Sequence, residues 1–276
     1  MKHRRDFLKG SAAALLAASA GAKIGAGGSA SAGEDGTAAA DVLATLSPAQ
    51  FAAYQHRRRK ELWSLLGDLP PHPAAPPPAR LVKREQHNGF VLERLVLDLN
   101  GIEPVPALLL IPDKRQPRAP GLLYIHWHAG QYDLGKEMIL RGVDAQPPYA
   151  SECARLGLVT LAIDSWCFGE RKRVEPGRVG EEDAFKLMLW RGQVLYGMMM
   201  FDEVRAIDYL VSRPEVDPSR LAATGMSMGA TKAWWLAALD PRVRLTIDLC
   251  CLTDFAELIR NEFLRGHGIY YYVPNL

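Results

Sequence analysis

Short apolar runs separated by stretches of helical character do most to limit how this chain can fold. Gly121-Leu122-Leu123-Tyr124-Ile125 is an unbroken apolar run of strand length, and Leu158 to Ile163 is apolar but for Thr160; both read as fully buried strands. Arg220 to Thr224 and Val243 to Cys250 supply two more strands. Between them lie three helical stretches: one near Tyr149 to Arg155 with Gly157 as its stop, a longer one over Leu195 to Ser212, and one over Met228 to Leu239. This alternation predicts an α/β fold, a mostly parallel sheet with helices on both faces. Upstream, Val91 to Leu99 and Val105 to Ile111 flank Asn100-Gly101, which predicts an opening β-hairpin. No internal repeat is present.

The first 80 residues read differently. His3-Arg4-Arg5-Asp6-Phe7-Leu8-Lys9 resembles the core of the twin-arginine export signal, and a mildly apolar run, Ser11 to Ala20, follows it. That run is far shorter than the ~20 residues that span a bilayer. Small-residue cleavage sites follow at Ala18-Ser19-Ala20 or Ala30-Ser31-Ala32. Residues 1–32 are therefore expected to be a signal peptide that directs export to the periplasm or beyond, with the twin-arginine machinery as a partner and no stable membrane anchor. Residues 33–80 comprise a leader, a helix opened by Ser47-Pro48 and running to about Leu66, and a proline-rich linker from Pro70 to Pro78. The basic run His56 to Lys60 reads as a solvated helix face. Residues 81–276 form the predicted α/β domain. A formal charge of +2 over 276 residues gives no reason to expect a nucleic-acid partner. The four cysteines form no C-x-x-C pair, and Cys250-Cys251 is expected to be buried in an apolar run.

Gly225-Met226-Ser227-Met228-Gly229 matches G-x-S-x-G, a weak signal alone. Its context is informative, because a predicted strand precedes it and a helix-forming run follows. A sharp strand-to-helix turn pushes the serine outward in a strained conformation, and any Cβ at either flanking glycine crowds the turn. Ser227 is thus the candidate nucleophile. The N–H of Met228, at the helix start, is a candidate oxyanion donor. A second donor is expected after the third strand of such a fold, here from Trp127, His128 or Ala129 within His126-Trp127-His128-Ala129-Gly130; His128 is the representative choice. A rival reading makes His126 and His128 metal ligands with Asp133 and Asp164. In Asp164 to Arg171, Trp166 and Phe168 are candidates to line an acyl pocket or to pack the loop, and Glu170 with Arg171 for an ion pair.

These segments, with Gly135-Lys136-Glu137, Arg213 to Arg220 and Asp240-Pro241-Arg242, resemble the α/β-hydrolase family that includes acetyl-xylan-esterase-like and dienelactone-hydrolase-like proteins. The resemblance covers about residues 85–272. It implies a cofactor-free serine hydrolase acting on carboxylic esters, with acetylated polysaccharide as a candidate substrate. It also implies an acid and a histidine after the nucleophile, and here the chain departs from the pattern. After Ser227 the candidates are Asp254 and His267, the only histidine in that stretch. The expectation is that the acid and histidine lie beyond residue 276 and that the fold is C-terminally incomplete. A catalytically inactive binding module and a serine peptidase on the same fold are the alternatives.

Overall fold

The computed structural model describes residues 43–143, 147–252 and 254–276. The twin-arginine segment and most of the leader lie outside them. The described residues divide into two compact units. One comprises 66–252 with 269–273, and the other 43–65, 254–268 and 274–276. Among the described residues no helix is long and apolar enough to cross a membrane.

The smaller unit holds helix α1 (Pro48–Leu65). Ser47 opens it as a capping box: its Oγ accepts from Gln50 N, and Gln50 Oε1 accepts from Ser47 N.

The larger unit is built on seven strands: β1 (Ala79–His87), β2 (Phe90–Leu97), β3 (Val105–Pro112), β4 (Ala119–Ile125), β5 (Val159–Ile163), β6 (Val216–Met226) and β7 (Val243–Leu249). Their spatial order is β1-β2-β3-β5-β4-β6-β7. The first three are antiparallel, β3 meets β5 antiparallel, and β4 to β7 run parallel. Helices α2 (Met138–Arg141), α3 (Ala150–Arg155), α4 (Arg178–Trp190), α5 (Leu195–Ser212) and α6 (Met228–Leu239) connect them. A last short helix, α7 (Phe255–Arg260), belongs to the smaller unit.

Side-chain parity shows both faces in use. Leu108, Leu110, Tyr124 and Ala162 pack against Ala150 and Ala154 of α3. On the opposite face, a Cβ at Gly121 would touch Leu210 of α5. The central strands β3, β4 and β5 are buried along nearly their whole length, as their predominantly apolar runs predict.

Strand β1 is not anticipated by the sequence reading. It is charged and exposed along most of its length, so no apolar period marks it. It is held by register to β2 and closed by the two-residue turn Asn88-Gly89, with Gly89 at φ 91°. The expected hairpin at Asn100-Gly101 forms with a longer loop, in which Asp98 and Asn100 side chains accept backbone N–H groups. Helix α4 is also unanticipated, because its Leu187, Leu189 and Trp190 face outward.

Candidate active site

Strand β6 delivers the chain to Ser227 and α6 departs from it. Ser227 has φ 52° and ψ −112° and is the N-cap of α6, its carbonyl accepting from Thr231 N at 3.0 Å. A non-glycine residue with positive φ is strained, and such strain collects at working sites. The bend is tight because the elbow lies against the exit of β4. A Cβ at Gly229 would stand 2.2 Å from Ile125 O, and one at Gly225 2.5 Å from the same atom. Both glycines are therefore required by close approach. The Ser227 N–H donates to Leu249 O at the end of β7 (2.9 Å), which fixes the corner to the next strand.

Strain of this kind is concentrated at one end of the sheet. Ala129 (φ 46°), Cys167 (φ 72°), Ser227, Cys250 (φ 67°) and Cys251 (φ 63°) follow β4, β5, β6 and β7 at their carboxyl ends, where ligands bind in open α/β sheets. Ser227 is half-buried, as are Trp127, His128 and Ala129, while Met228 is buried at the first position of α6. There its N–H belongs to the helix's unsatisfied first turn.

The His126 ring is fully buried and makes two directed contacts. Nδ1 lies 3.0 Å from Trp127 O, and Nε2 accepts from Ser165 N at 3.1 Å. The first contact therefore needs a proton on Nδ1. Burial, reinforced by the Lys232 ammonium, lowers the imidazole pKa to about 3, so the ring is neutral. Gly130 N donates to His128 Nδ1 (3.1 Å), and His128 Nε2 faces the Glu181 carboxylate at 3.3 Å. Tyr132 donates to the same carboxylate oxygen at 3.1 Å. The His128 ring also stacks on Tyr270 and meets Phe168 edge-on.

Several expectations change here. Phe168 is wholly buried among His126, His128 and Tyr132, and Trp166 lies buried beneath the Arg171 and Arg173 guanidiniums. Both pack the loop. Glu170 and Arg171 do not pair with each other. Glu170 meets Lys136 (2.5 Å), while Arg171 binds Asp202 (2.8 Å) and Glu103 (2.7 Å). The metal reading fails on geometry, since both His126 nitrogens are occupied, Asp164 binds Lys136, and Asp133 binds Lys172. Among the described residues no three His, Cys, Asp or Glu converge.

Cys250 is exposed and Cys251 half-buried, contrary to the expectation of buried thiols. Cys251 Sγ stands 3.6 Å from Ser227 Oγ, a contact that no sequence signal marks. Asp254 and His267 belong to the smaller unit. Asp254 caps α7, its carboxylate accepting from Glu257 N at 3.1 Å, and burial lowers the His267 pKa.

The comparisons with known proteins agree with this architecture. Residues 31–259 match the model of the Abhydrolase family, and the chain belongs to that family of α/β hydrolases. Its relative YtaP of Bacillus subtilis (strain 168), named as a hydrolase, is 44% identical over 222 residues, which cover 79% of this chain and 72% of YtaP. A Bacteroides fragilis NCTC 9343 structure named as an acetyl xylan esterase superposes with a TM-score of 0.64 at 20% identity, covering 84% of this chain and 64% of that one. This chain thus spans less than two thirds of that protein's length. A glucuronoyl esterase from Solibacter usitatus superposes with a TM-score of 0.54 at 13% identity, covering 81% of this chain and 67% of that one.

Proposed function

We propose that the protein is a serine hydrolase that cleaves carboxylic esters through an acyl-Ser227 intermediate. The strained, half-buried serine at the β6–α6 corner is the observation that carries this reading. An ordinary Gly-Ser loop has no reason to hold a serine at positive φ against the end of β4. In the reaction Ser227 Oγ attacks the ester carbonyl, its proton passes to a base, and the oxyanion is held by Met228 N–H and the amide of the loop after β4. The leaving alcohol departs, and water then attacks the acyl-serine to release the acid and restore Ser227.

Acetyl esters of carbohydrate are the substrate class to test first, on the strength of the acetyl-xylan-esterase-like fold. The leading twin-arginine segment supports export, which would bring the enzyme to such a substrate.

The test is hydrolysis of a panel of acetyl and longer-chain p-nitrophenyl esters and of peptide anilides, with Ser227→Ala alongside. Esterase activity with a burst of one product equivalent, lost by at least about 10³-fold in the variant, is the expected result. Cleavage confined to peptide anilides would convert the assignment to a peptidase. No turnover of either class would leave a binding module. The pH dependence of kcat/KM reports the base, and an apparent pKa of about 6–7 marks a histidine.

A further inference from the structure

Beneath the loop after β4 runs a chain of buried polar groups that the proposed reaction does not use. Lys232, on α6 five residues beyond Ser227, is completely buried. Its Nζ is paired with the Glu203 carboxylate of α5 and donates to Ser165 Oγ at 2.6 Å. Ser165 follows β5, and its backbone N–H donates to His126 Nε2 at 3.1 Å; His126 Nδ1 in turn reaches Trp127 O at 3.0 Å. Glu203 and Ser165 are each at most 2% exposed. Four separate elements are thus tied together by one polar path, which ends on a single peptide group. Burying an ammonium and a carboxylate is costly even when they pair, and apolar residues of the same volume are often as stable.

The function of the path follows from peptide geometry. A trans peptide is planar, with its C=O and N–H pointing in opposite directions. Anchoring Trp127 O to the buried His126 ring therefore turns the His128 N–H of the same peptide away from the interior. The exit of β4 from which this peptide departs is the segment packed against Gly225 and Gly229 of the elbow. We propose that His126 is a positioning residue, held by the Glu203–Lys232–Ser165 path, that orients the Trp127–His128 peptide so that His128 N–H is the second oxyanion donor. This deepens the serine-hydrolase reading and rests on it. It also selects among Trp127, His128 and Ala129, which sequence leaves open.

The arrangement works only while His126 is neutral, because a protonated Nε2 would face the Ser165 N–H donor-to-donor. The charged and titratable groups around it are Lys232 from α6, His128 from its own loop and Lys136 from the turn before α2; Glu203 from α5 faces Lys232. Burial opposes protonation most, and the neighbouring Lys232 ammonium adds to it.

The test compares His126→Phe, which fills the ring volume without either hydrogen bond, with His126→Asn, whose amide N–H can replace Nδ1 toward Trp127 O. His126→Phe is expected to lower kcat by about 10²-fold, the scale of one lost oxyanion donor, with His126→Asn recovering to within about tenfold of the wild type. KM should move by no more than about threefold in either variant, since the interaction is made in the transition state. Equal losses in the two variants, or a folded His126→Phe with wild-type kcat, would overturn the proposal. If His126→Phe does not fold, the double variant Lys232→Met/Glu203→Leu decides, because it removes both charges together. It should lower kcat by at least about tenfold with KM within about threefold of the wild type, and an unchanged kcat refutes the positioning role. Fluorophosphonate labelling of the wild type separates the two claims. A wild type that labels at Ser227, with His126 variants unaffected, removes only this inference; one that takes no label removes the serine reading and this inference with it.

Discussion

A single torsion at Ser227 connects sequence to chemistry, since φ of 52° is a conformation the chain adopts only where its surroundings enforce it. Its hydroxyl lies 3.6 Å from the thiol of Cys251, and Cys251 O is held by Thr231 Oγ1 (3.1 Å) and Trp234 Nε1 (3.5 Å) of α6. Bulk added to that sulfur must intrude on the approach to Oγ. Iodoacetamide should therefore lower ester hydrolysis by at least about tenfold in the wild type and in Cys250→Ala, but not in Cys251→Ala. Inactivation of Cys251→Ala at the wild-type rate would show that this thiol does not border the site. A second residue-scale outcome concerns acid. The folded-state pKa of His126 is about 3, below the ~6.5 of an unfolded chain. The unfolded state then binds more protons between those values, so the contribution of His126 to stability is complete above about pH 6.5 and is lost as pH falls toward 3. Thermal melts across that range should show a falling Tm, with a shallower dependence in His126→Phe. Parallel slopes would mean that the ring is not buried neutral.

Among the elements, the β6–α6 corner depends on two glycines for a reason that is steric. At Gly229 an added methyl would meet the Ile125 carbonyl, a backbone atom with no freedom to withdraw. Gly229→Ala should cost about 1–3 kcal/mol of stability and at least about 10²-fold in activity, measured by denaturant melts and ester turnover; near-wild-type turnover would show that the corner tolerates a wider approach. Much of this region is legible from sequence because a buried parallel strand leaves a short apolar run and a packed helix leaves a period. Helices α5 and α6 begin and end where their apolar spacing predicts, and β4 and β5 match their apolar runs. What is illegible has a common physical cause, namely pairing that carries no local pattern. The charged strand β1 is specified by its register with β2. The partners of Glu170 and Arg171 are chosen by loops distant in sequence. Cys251 reaches Ser227 because β7 lies beside β6, and Lys232 faces inward to Glu203 of α5, a partner distant in sequence.

At the scale of the whole molecule, the sheet is covered unevenly. Leu245, Ile247 and Leu249 of β7 are 56%, 51% and 38% exposed, on the face where Ala222 and Thr224 of β6 are also only half-buried. Val243, Leu245, Ile247 and Leu249 alternate with polar residues along an edge strand, a combination that invites association. The double variant Leu245→Lys/Ile247→Lys should reduce concentration-dependent light scattering while changing stability by no more than about 0.5 kcal/mol per site. Unchanged scattering would show that this face is not the adhesive one. At the opposite extreme, the carboxyl ends of β4 to β7 gather the strained backbone and the buried polar path into one region, and that region is where the α/β-hydrolase architecture places its chemistry.

Ester cleavage at this site requires Ser227 to be an accessible, activated hydroxyl, and a fluorophosphonate probe reads that directly. Incubation of the full chain with the probe, followed by digestion and mass spectrometry, should find one adduct on the peptide containing Ser227 and none in Ser227→Ala. An adduct on another residue, or wild-type protein that stays unmodified under conditions that label a known serine esterase, would contradict it.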